Sequence, residues 1–143
     1  MALDERLLAF ARTTHLGAVV ALKKDGRPQV SMVSYALDPN EPLVRVSTTA
    51  DRAKTHNIRR DPRVSLLVSS PEGWQYAVLE GDAELSAVAS DPHDATVEEL
   101  IDVYRTIVGE HPDWDDYRRA MVADQRLVMT LRVTHTYGAA ASG

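Results

Sequence analysis

The sequence predicts a mainly β protein of the α+β class, in which six antiparallel strands close into a barrel with short helices at its periphery. Three observations predict this fold. Six segments of strand length are apolar or alternate between apolar and polar residues. Turn pairs such as Asp25-Gly26 and Asp38-Pro39 make hairpin-length connections, which favour antiparallel pairing. Helical spacing is confined to short stretches, and six short antiparallel strands most readily close on themselves.

The expected strands differ in how deeply they should be buried. The first, HLGAVVAL, is small, apolar and β-branched, which is typical of a buried strand. The second alternates, so Val30 and Met32 should lie on one face and Gln29, Ser31 and Val33 on the other. The six strands are expected at residues 15–22, 28–37, 43–48, 63–69, 74–86 and 126–137.

Four helices are expected around these strands, at residues 4–12, 51–60, 94–108 and 114–123. Asp4 is suited to cap the first helix, and Pro62 should end the second. Gly81 interrupts the long fifth strand and predicts a bulge there. With 143 residues, one domain is the default. We expect it to span residues 1–138, with a frayed tail at 139–143.

Composition and charge exclude several classes of protein. The chain has no cysteine and no apolar run of the roughly 20 residues that a membrane span needs. Its first residues are charged and lack the apolar core of a signal peptide, so we expect a cytoplasmic protein. The net charge is −5, and residues 80–124 hold thirteen acids against three arginines. A nucleic-acid partner is therefore not expected.

One segment departs from this acidic background. Residues 45–63 carry six Lys or Arg residues against two acids, around the start of the second expected helix. A helix N-terminus presents unpaired N–H groups and the positive end of a dipole, so cations placed there suit a bound phosphate or carboxylate. The sequence therefore predicts an anionic ligand at this segment. Its basic residues are Arg45, Arg52, Lys54, Arg59, Arg60 and Arg63.

No familiar catalytic motif accompanies this anion site. The chain contains no P-loop, no Gly-x-Ser-x-Gly and no Gly-x-Gly-x-x-Gly. Its histidines show no metal-ligand spacing with carboxylates, so no metal site is predicted. A chain with an anion site and no evident nucleophile or acid–base pair fits an enzyme whose cofactor carries the chemistry. The catalytic residues themselves are not identified.

Several motifs, in their order along the chain, resemble one known family. They are DGRPQVS at 25–31, VST at 46–48, RAKT at 52–55 with NIRRDPR at 57–63, WQY at 74–76 with EG at 80–81, EHPDWDDY at 110–117 and HTYG at 135–138. The chain resembles the FMN-binding split-barrel superfamily, the fold of pyridoxamine 5′-phosphate oxidase. Within it, the chain looks like the actinobacterial flavin/deazaflavin oxidoreductases of the B type, which bind coenzyme F420.

This resemblance implies a six-stranded split β-barrel that forms a homodimer, with cofactor sites at the interface. Arg52 and Lys54 would hold the phosphate, with Ala53 between them also binding the cofactor and Asn57 supporting the loop. The partner subunit's Trp74 would complete the site that holds the flavin or deazaflavin ring of the cofactor. The other residues that the resemblance implies are Gln29, Ser31 and Met32 along the ring, Ser47 and Thr48 at the ribityl chain or ring carbonyls, Tyr76 beside Trp74, and His135 and Tyr137 at the rim.

The activity that the resemblance implies is hydride transfer from reduced F420 to an unsaturated small molecule, with the proton supplied by solvent or a rim residue. Two alternatives remain open. One is an FMN-dependent oxidase or reductase of the same fold. FMN ends in one phosphate, whereas F420 adds an acidic tail that Lys24, Arg59 and Arg60 could accommodate. The other alternative is a non-catalytic carrier of F420.

Overall fold

The computed structural model describes residues 3–140 and shows an antiparallel seven-stranded sheet curled into a half-barrel, with short helices around it. The predicted fold class is therefore confirmed, with seven strands in place of six. In chain order the elements are α1 (Glu5–Ala11), β1 (Leu16–Leu22), β2 (Pro28–Ser34), β3 (Ala36–Leu37), β4 (Leu43–Thr49), α2 (Ala53–Arg60), β5 (Arg63–Ser69), β6 (Tyr76–Leu85), α3 (Ala95–Ile107), α4 (Trp114–Ala123) and β7 (Arg126–Ala139).

The additional strand arises because the segment 28–37 changes pairing partner at Tyr35. The sheet order is β2-β1-β5-β6-β7-β4-β3, so β2 and β3 lie at opposite edges of the sheet. Tyr35 alone separates them along the chain, and the sheet must therefore curl until its two edges meet there. The Tyr35 ring is fully buried, and its hydroxyl donates to the Ala11 carbonyl at the end of α1.

The interior of the half-barrel is apolar, as strand alternation requires. Every second residue of β1, β4 and β5 points inward, and Val19, Val46 and Leu66 are at most 1% exposed. A second apolar cluster lies outside the half-barrel, where α3 and α4 pack on β7 around Leu100 and Val128. The helical pair therefore covers the outer face at one end of the sheet.

Two smaller features of the sequence have the expected structural effect. Asp4 caps α1 by accepting from the Arg6 N–H at 2.9 Å. The pairing of β6 with β7 shifts register between Glu80 and Gly81, which confirms the predicted bulge. A Cβ at Gly81 would lie 1.8 Å from the Arg132 carbonyl oxygen, so only glycine allows the strands to approach this closely.

Some boundaries differ from the predicted ones. Trp74 and Gln75 belong to the turn before β6, and α2 begins at Ala53 with Arg52 as its N-cap. The last strand continues to Ala139, which pairs with Tyr76. Of the tail expected to fray, residues 141–143 lie outside the described residues.

Candidate cation-lined ligand site

The entry to α2 is a compact turn held by hydroxyl groups. Thr55 is fully buried, and its hydroxyl donates to the Thr49 carbonyl at 2.8 Å and lies 3.3 Å from the Thr48 hydroxyl. The Thr49 hydroxyl donates to Asp51 at 2.8 Å and thereby lowers the pKa of that carboxyl. These bonds fix the direction of the helix and the positions of its first N–H groups, including those of Ala53 and Lys54.

The helix N-terminus carries its cations without a side-chain cap. Arg52 occupies the N-cap position and makes no side-chain cap hydrogen bond, in contrast to Asp4, Asp94 and Asp113 at the other helices. The first turn of α2 contains no acidic residue. An anion supplied from outside would therefore find both unpaired N–H groups and positive charge here.

Lys54 lines a cavity of about 420 Å³ between the half-barrel and the helical pair. Burial lowers the pKa of this half-buried ammonium, and repulsion from Arg52 and Arg126 lowers it further. Among the described residues, none that lines this cavity is Asp, Glu or His. The lining residues are Met32, Val33, Ser34, Ser47, Lys54, Val103, Tyr104, Ile107, Val108, Tyr117, Met121 and Arg126.

Arg126 also lines this cavity, although it was not among the residues predicted from the sequence. Its Nη1 donates to the Ser47 hydroxyl at 3.4 Å, whereas its buried Nε has no hydrogen-bond partner within the described part of the chain. The five ion pairs formed within residues 3–140 include neither Arg126 nor Lys54 nor Arg52. Lys54 and Arg126 therefore meet in the cavity without an ion-pair partner among the described residues, and the one carboxylate beside Arg52 is that of Asp51, outside the cavity lining.

The rest of the basic segment has other contacts. Arg63 pairs with Asp61 at 2.7 Å. Arg60 donates to the Leu22 carbonyl and to the Asn57 side-chain oxygen. The Asn57 side chain therefore contacts Arg60 on the same helix. Arg59 is exposed. Of the six basic residues in this segment, only Lys54 lines the cavity, and Arg52 lies beside it at the N-cap.

The predicted residues of β2 lie on two faces. Met32 points outward, is 63% exposed and lines the cation-lined cavity. Gln29 and Ser31 share the inward side with Val33, and the buried Oε1 of Gln29 and Oγ of Ser31 have no hydrogen-bond partner among the described residues. Unpaired buried polar atoms are rare in folded proteins and indicate a missing partner. Both unpaired atoms therefore lie on the inward side of β2, opposite the face on which Met32 lines the cavity.

The predicted residues of β4 are also divided between the two faces. Ser47 points outward and lines the cavity, where it contacts Arg126. Thr48 points inward, is 3% exposed and has its hydroxyl beside that of Thr55. The Thr48 side chain therefore faces the core, and Ser47 and Thr48 do not share one surface.

The predicted aromatic residues lie away from the cavity of their own chain. Trp74 is 82% exposed in the turn before β6, and Tyr76 and Tyr137 are exposed on the outer face of the sheet. His135 is exposed opposite Glu80. None of these four residues lines the cation-lined cavity. They could reach such a site only in a second copy of the chain.

A second cavity, of about 600 Å³, adjoins the first at Met32. Its walls come from the end of α1, the start of β1 and the end of β5, and none of the described residues that line it is charged. They consist of Phe10, Thr13, Thr14, Leu16, Gly17, Ala18, Met32, Leu67, Ser69, Ser70 and Pro71.

The described structure thus combines an antiparallel half-barrel with a cation-lined cavity at the start of α2. Residues 3–138 match the family described as "Pyridoxamine 5'-phosphate oxidase", and the chain belongs to that family. The resemblance inferred from the sequence motifs is thereby confirmed at the level of the family.

Solved structures agree with this assignment. A conserved hypothetical protein of Mycobacterium tuberculosis superposes with a TM-score of 0.74 at 21% identity, over 98% of this chain and 85% of the other. A protein described as "F420 Reductase" superposes with a TM-score of 0.59 at 27% identity, over 86% of this chain and 89% of the other. A putative pyridoxamine 5′-phosphate oxidase of Listeria innocua superposes with a TM-score of 0.64 at 16% identity, over 94% of this chain and 95% of the other.

Within residues 3–140, no helix has both the length and the apolar character that crossing a membrane would require.

Proposed function

We propose that this protein is an F420-dependent reductase that transfers a hydride to an unsaturated small molecule. The observation that carries the proposal is the cation-lined cavity, where Lys54 and Arg126 meet with no carboxylate among the lining residues. The 27% identity to a protein described as an F420 reductase supports F420 as the coenzyme. When bound, F420 would supply the hydride, so the protein need only bind, orient and shield it.

The residues present fit a phosphate-bearing coenzyme. Arg52 and Lys54, together with the N–H groups at the start of α2, would hold the phosphate. Ser47 and Met32 line the same cavity and would contact the body of the coenzyme. Gln29 and Ser31 lie on the opposite face of β2 from Met32, so their unpaired oxygens do not line this cavity.

We further propose that the protein acts as a homodimer. The strand registers align Met32, Ala18, Leu67, Val78 and Tyr137 across five neighbouring strands, and we call this the outer apolar row. The helical pair covers the outer face at one end of the sheet but leaves this row open, and Met32, Leu67 and Tyr137 are 63%, 41% and 48% exposed. Apolar patches of this kind mark protein interfaces. A second copy packed here would bring exposed Trp74 and Tyr76 towards its partner's site.

Two alternatives are each favoured by one observation. An FMN-dependent oxidase or reductase is favoured by the family itself, whose description is that of an oxidase acting on a phosphate ester. A non-catalytic F420 carrier is favoured by the cavity lining, which contains no carboxylate or imidazole among the described residues that could exchange a proton.

The experiment is to mix the purified protein with chemically reduced F420 and a panel of enones, quinones and tetrapyrroles, and to follow reoxidation of the coenzyme by absorbance. A reductase accelerates reoxidation with at least one class of acceptor. Tight F420 binding without turnover on any acceptor would instead identify a carrier. A yellow protein that purifies with bound flavin would favour the FMN-dependent alternative.

A further inference from the structure

Arg126 is the one basic residue of the cation-lined cavity that lies outside the basic segment 45–63. It begins β7, where its backbone pairs with Thr49 immediately before the entry to α2. Its guanidinium therefore reaches the cavity from the strand beside Ser47, whereas Lys54 reaches it from the helix. Two cations on different elements thus face one space.

The backbone around Arg126 is firmly held. Gln125 has a φ of 53°, the left-handed conformation that residues other than glycine rarely adopt. The Gln125 carbonyl accepts from the Ala50 N–H at 3.0 Å, and the Arg126 carbonyl accepts from the Ala89 N–H at 2.7 Å. Gln125 directly follows Asp124, the C-cap of α4, and helices commonly end with a left-handed residue at this position. The helix end and these two hydrogen bonds fix the point from which Arg126 enters the cavity.

The charge of Arg126 is poorly compensated in the chain alone. Its Nε is buried with no acceptor among residues 3–140, and its one recorded side-chain hydrogen bond is the 3.4 Å contact with Ser47. Burying a charged donor without a partner costs free energy, so such a group is normally paired. Repulsion between Arg126 and Lys54 adds to this cost and helps to lower the pKa of Lys54. An anion between the two would relieve both effects.

We infer that Arg126 is an anion-binding residue that closes the phosphate site from the β7 side, opposite Lys54. This inference rests on the proposed function and adds to it the side of the site that the basic segment does not supply. Guanidinium groups bind phosphate oxygens in bidentate fashion, and Arg126 lines the cavity, where its two Nη groups would offer that geometry. The ligand class is a phosphate ester whose body would lie in the same cavity, which Met32 and Val103 also line.

The test measures thermal unfolding of the unliganded protein with inorganic phosphate or chloride at matched ionic strength. Phosphate should raise the midpoint of the wild-type protein by mass action, because it binds the folded state. Arg126→Met should weaken phosphate binding about tenfold or more, which corresponds to loss of one charge-assisted bond. Its midpoint without phosphate should equal or exceed that of the wild type, because an uncompensated charge has been removed. Arg126→Lys should recover part of the phosphate response.

Arg132→Met is the matched control, since Arg132 lies on the same strand but is exposed. It should keep the wild-type response to phosphate. A wild-type phosphate affinity in Arg126→Met would overturn the inference, as would a lower midpoint without phosphate, which would make Arg126 a structural residue.

Coenzyme binding separates this inference from the proposed function. If F420 binds the wild type and Arg126→Met equally well but not Lys54→Ala, the inference fails and the proposed function stands. If phosphate stabilises the protein through Arg126 but neither F420 nor FMN displaces it, the inference stands and the proposed function fails.

Discussion

At the scale of single residues, Lys54 is the residue whose removal should weaken coenzyme binding most. Lys54→Ala removes a half-buried charge from the cavity, and a hydrogen bond to a charged group contributes roughly 1.5–3 kcal/mol. The Kd for F420 should therefore rise by roughly ten- to a hundredfold. Arg59→Ala is the control because Arg59 lies on the same helix and is exposed. Equal effects of the two substitutions, measured by fluorescence titration, would place the phosphate elsewhere.

Lys54 should also give the binding a characteristic dependence on pH. Burial and the neighbouring arginines hold its pKa below the ordinary 10.5, so the charge is lost earlier than in an unfolded chain as pH rises. Because the anion binds the charged form, F420 affinity should fall as pH rises through this lowered pKa. Between it and 10.5 the unliganded fold should gain stability, because the unfolded chain then binds more protons.

The variant Lys54→Arg checks this assignment, since the arginine pKa lies above about 12. It should keep F420 affinity constant over the alkaline range in which the wild type loses it. If the wild type shows no alkaline loss of affinity, Lys54 does not hold the anion.

The side of the cavity at the start of α2 could be predicted from the sequence, whereas the side at the start of β7 could not. The charges at the start of α2 form a local pattern, so Arg52 and Lys54 could be singled out. Arg126 lies far away in sequence and is an ordinary strand residue there. Only the pairing of β7 with β4 brings it beside Ser47, and a single sequence does not reveal strand pairing between distant segments. Arg60 and Arg63 belong to the same local pattern, but local contacts engage both side chains, which the pattern alone does not reveal.

At the scale of elements, the bulge in β6 gives the sharpest prediction about stability. Gly81→Ala would place a methyl group against the Arg132 carbonyl, and the strands must separate locally to accommodate it. Overpacking commonly costs about 1–3 kcal/mol, and a clash with backbone belongs at the upper end of that range. Glu84→Ala, an exposed change on the same strand, should alter the free energy of unfolding by less than about 0.5 kcal/mol. Urea denaturation of both variants measures the difference, and similar stabilities would show that the bulge adapts.

The segment 28–37 divides into two strands, and this division cannot be predicted from the local sequence pattern. Alternation of side chains continues through Tyr35, because Val33, Tyr35 and Leu37 are all buried. The sequence pattern is therefore that of one strand. The exchange of pairing partner from β1 to β4 leaves no local trace, although it is what closes the half-barrel. The bulge at Gly81 could be predicted because glycine marks it directly.

At the scale of the whole molecule, the outer apolar row should mediate dimer formation. Interfaces of obligate dimers commonly bury about 2,000 Å² or more, and a row across five strands offers a surface of the right kind. Leu67→Lys places a charge at the centre of this row and should give a folded monomer. Asp102→Lys, on exposed α3 surface, should remain dimeric. Sedimentation velocity at micromolar concentration distinguishes these outcomes, and a monomeric wild type would contradict the proposed assembly.

The proposed function requires that the cation-lined cavity bind a phosphate-bearing deazaflavin. Its most direct test is equilibrium titration of the purified, ligand-free protein with F420 and, separately, with FMN, followed by the change in coenzyme fluorescence. We expect saturable binding of F420 that is tighter than that of FMN and is weakened roughly ten- to a hundredfold in Lys54→Ala. Tighter binding of FMN, or F420 binding that is indifferent to Lys54, would contradict it.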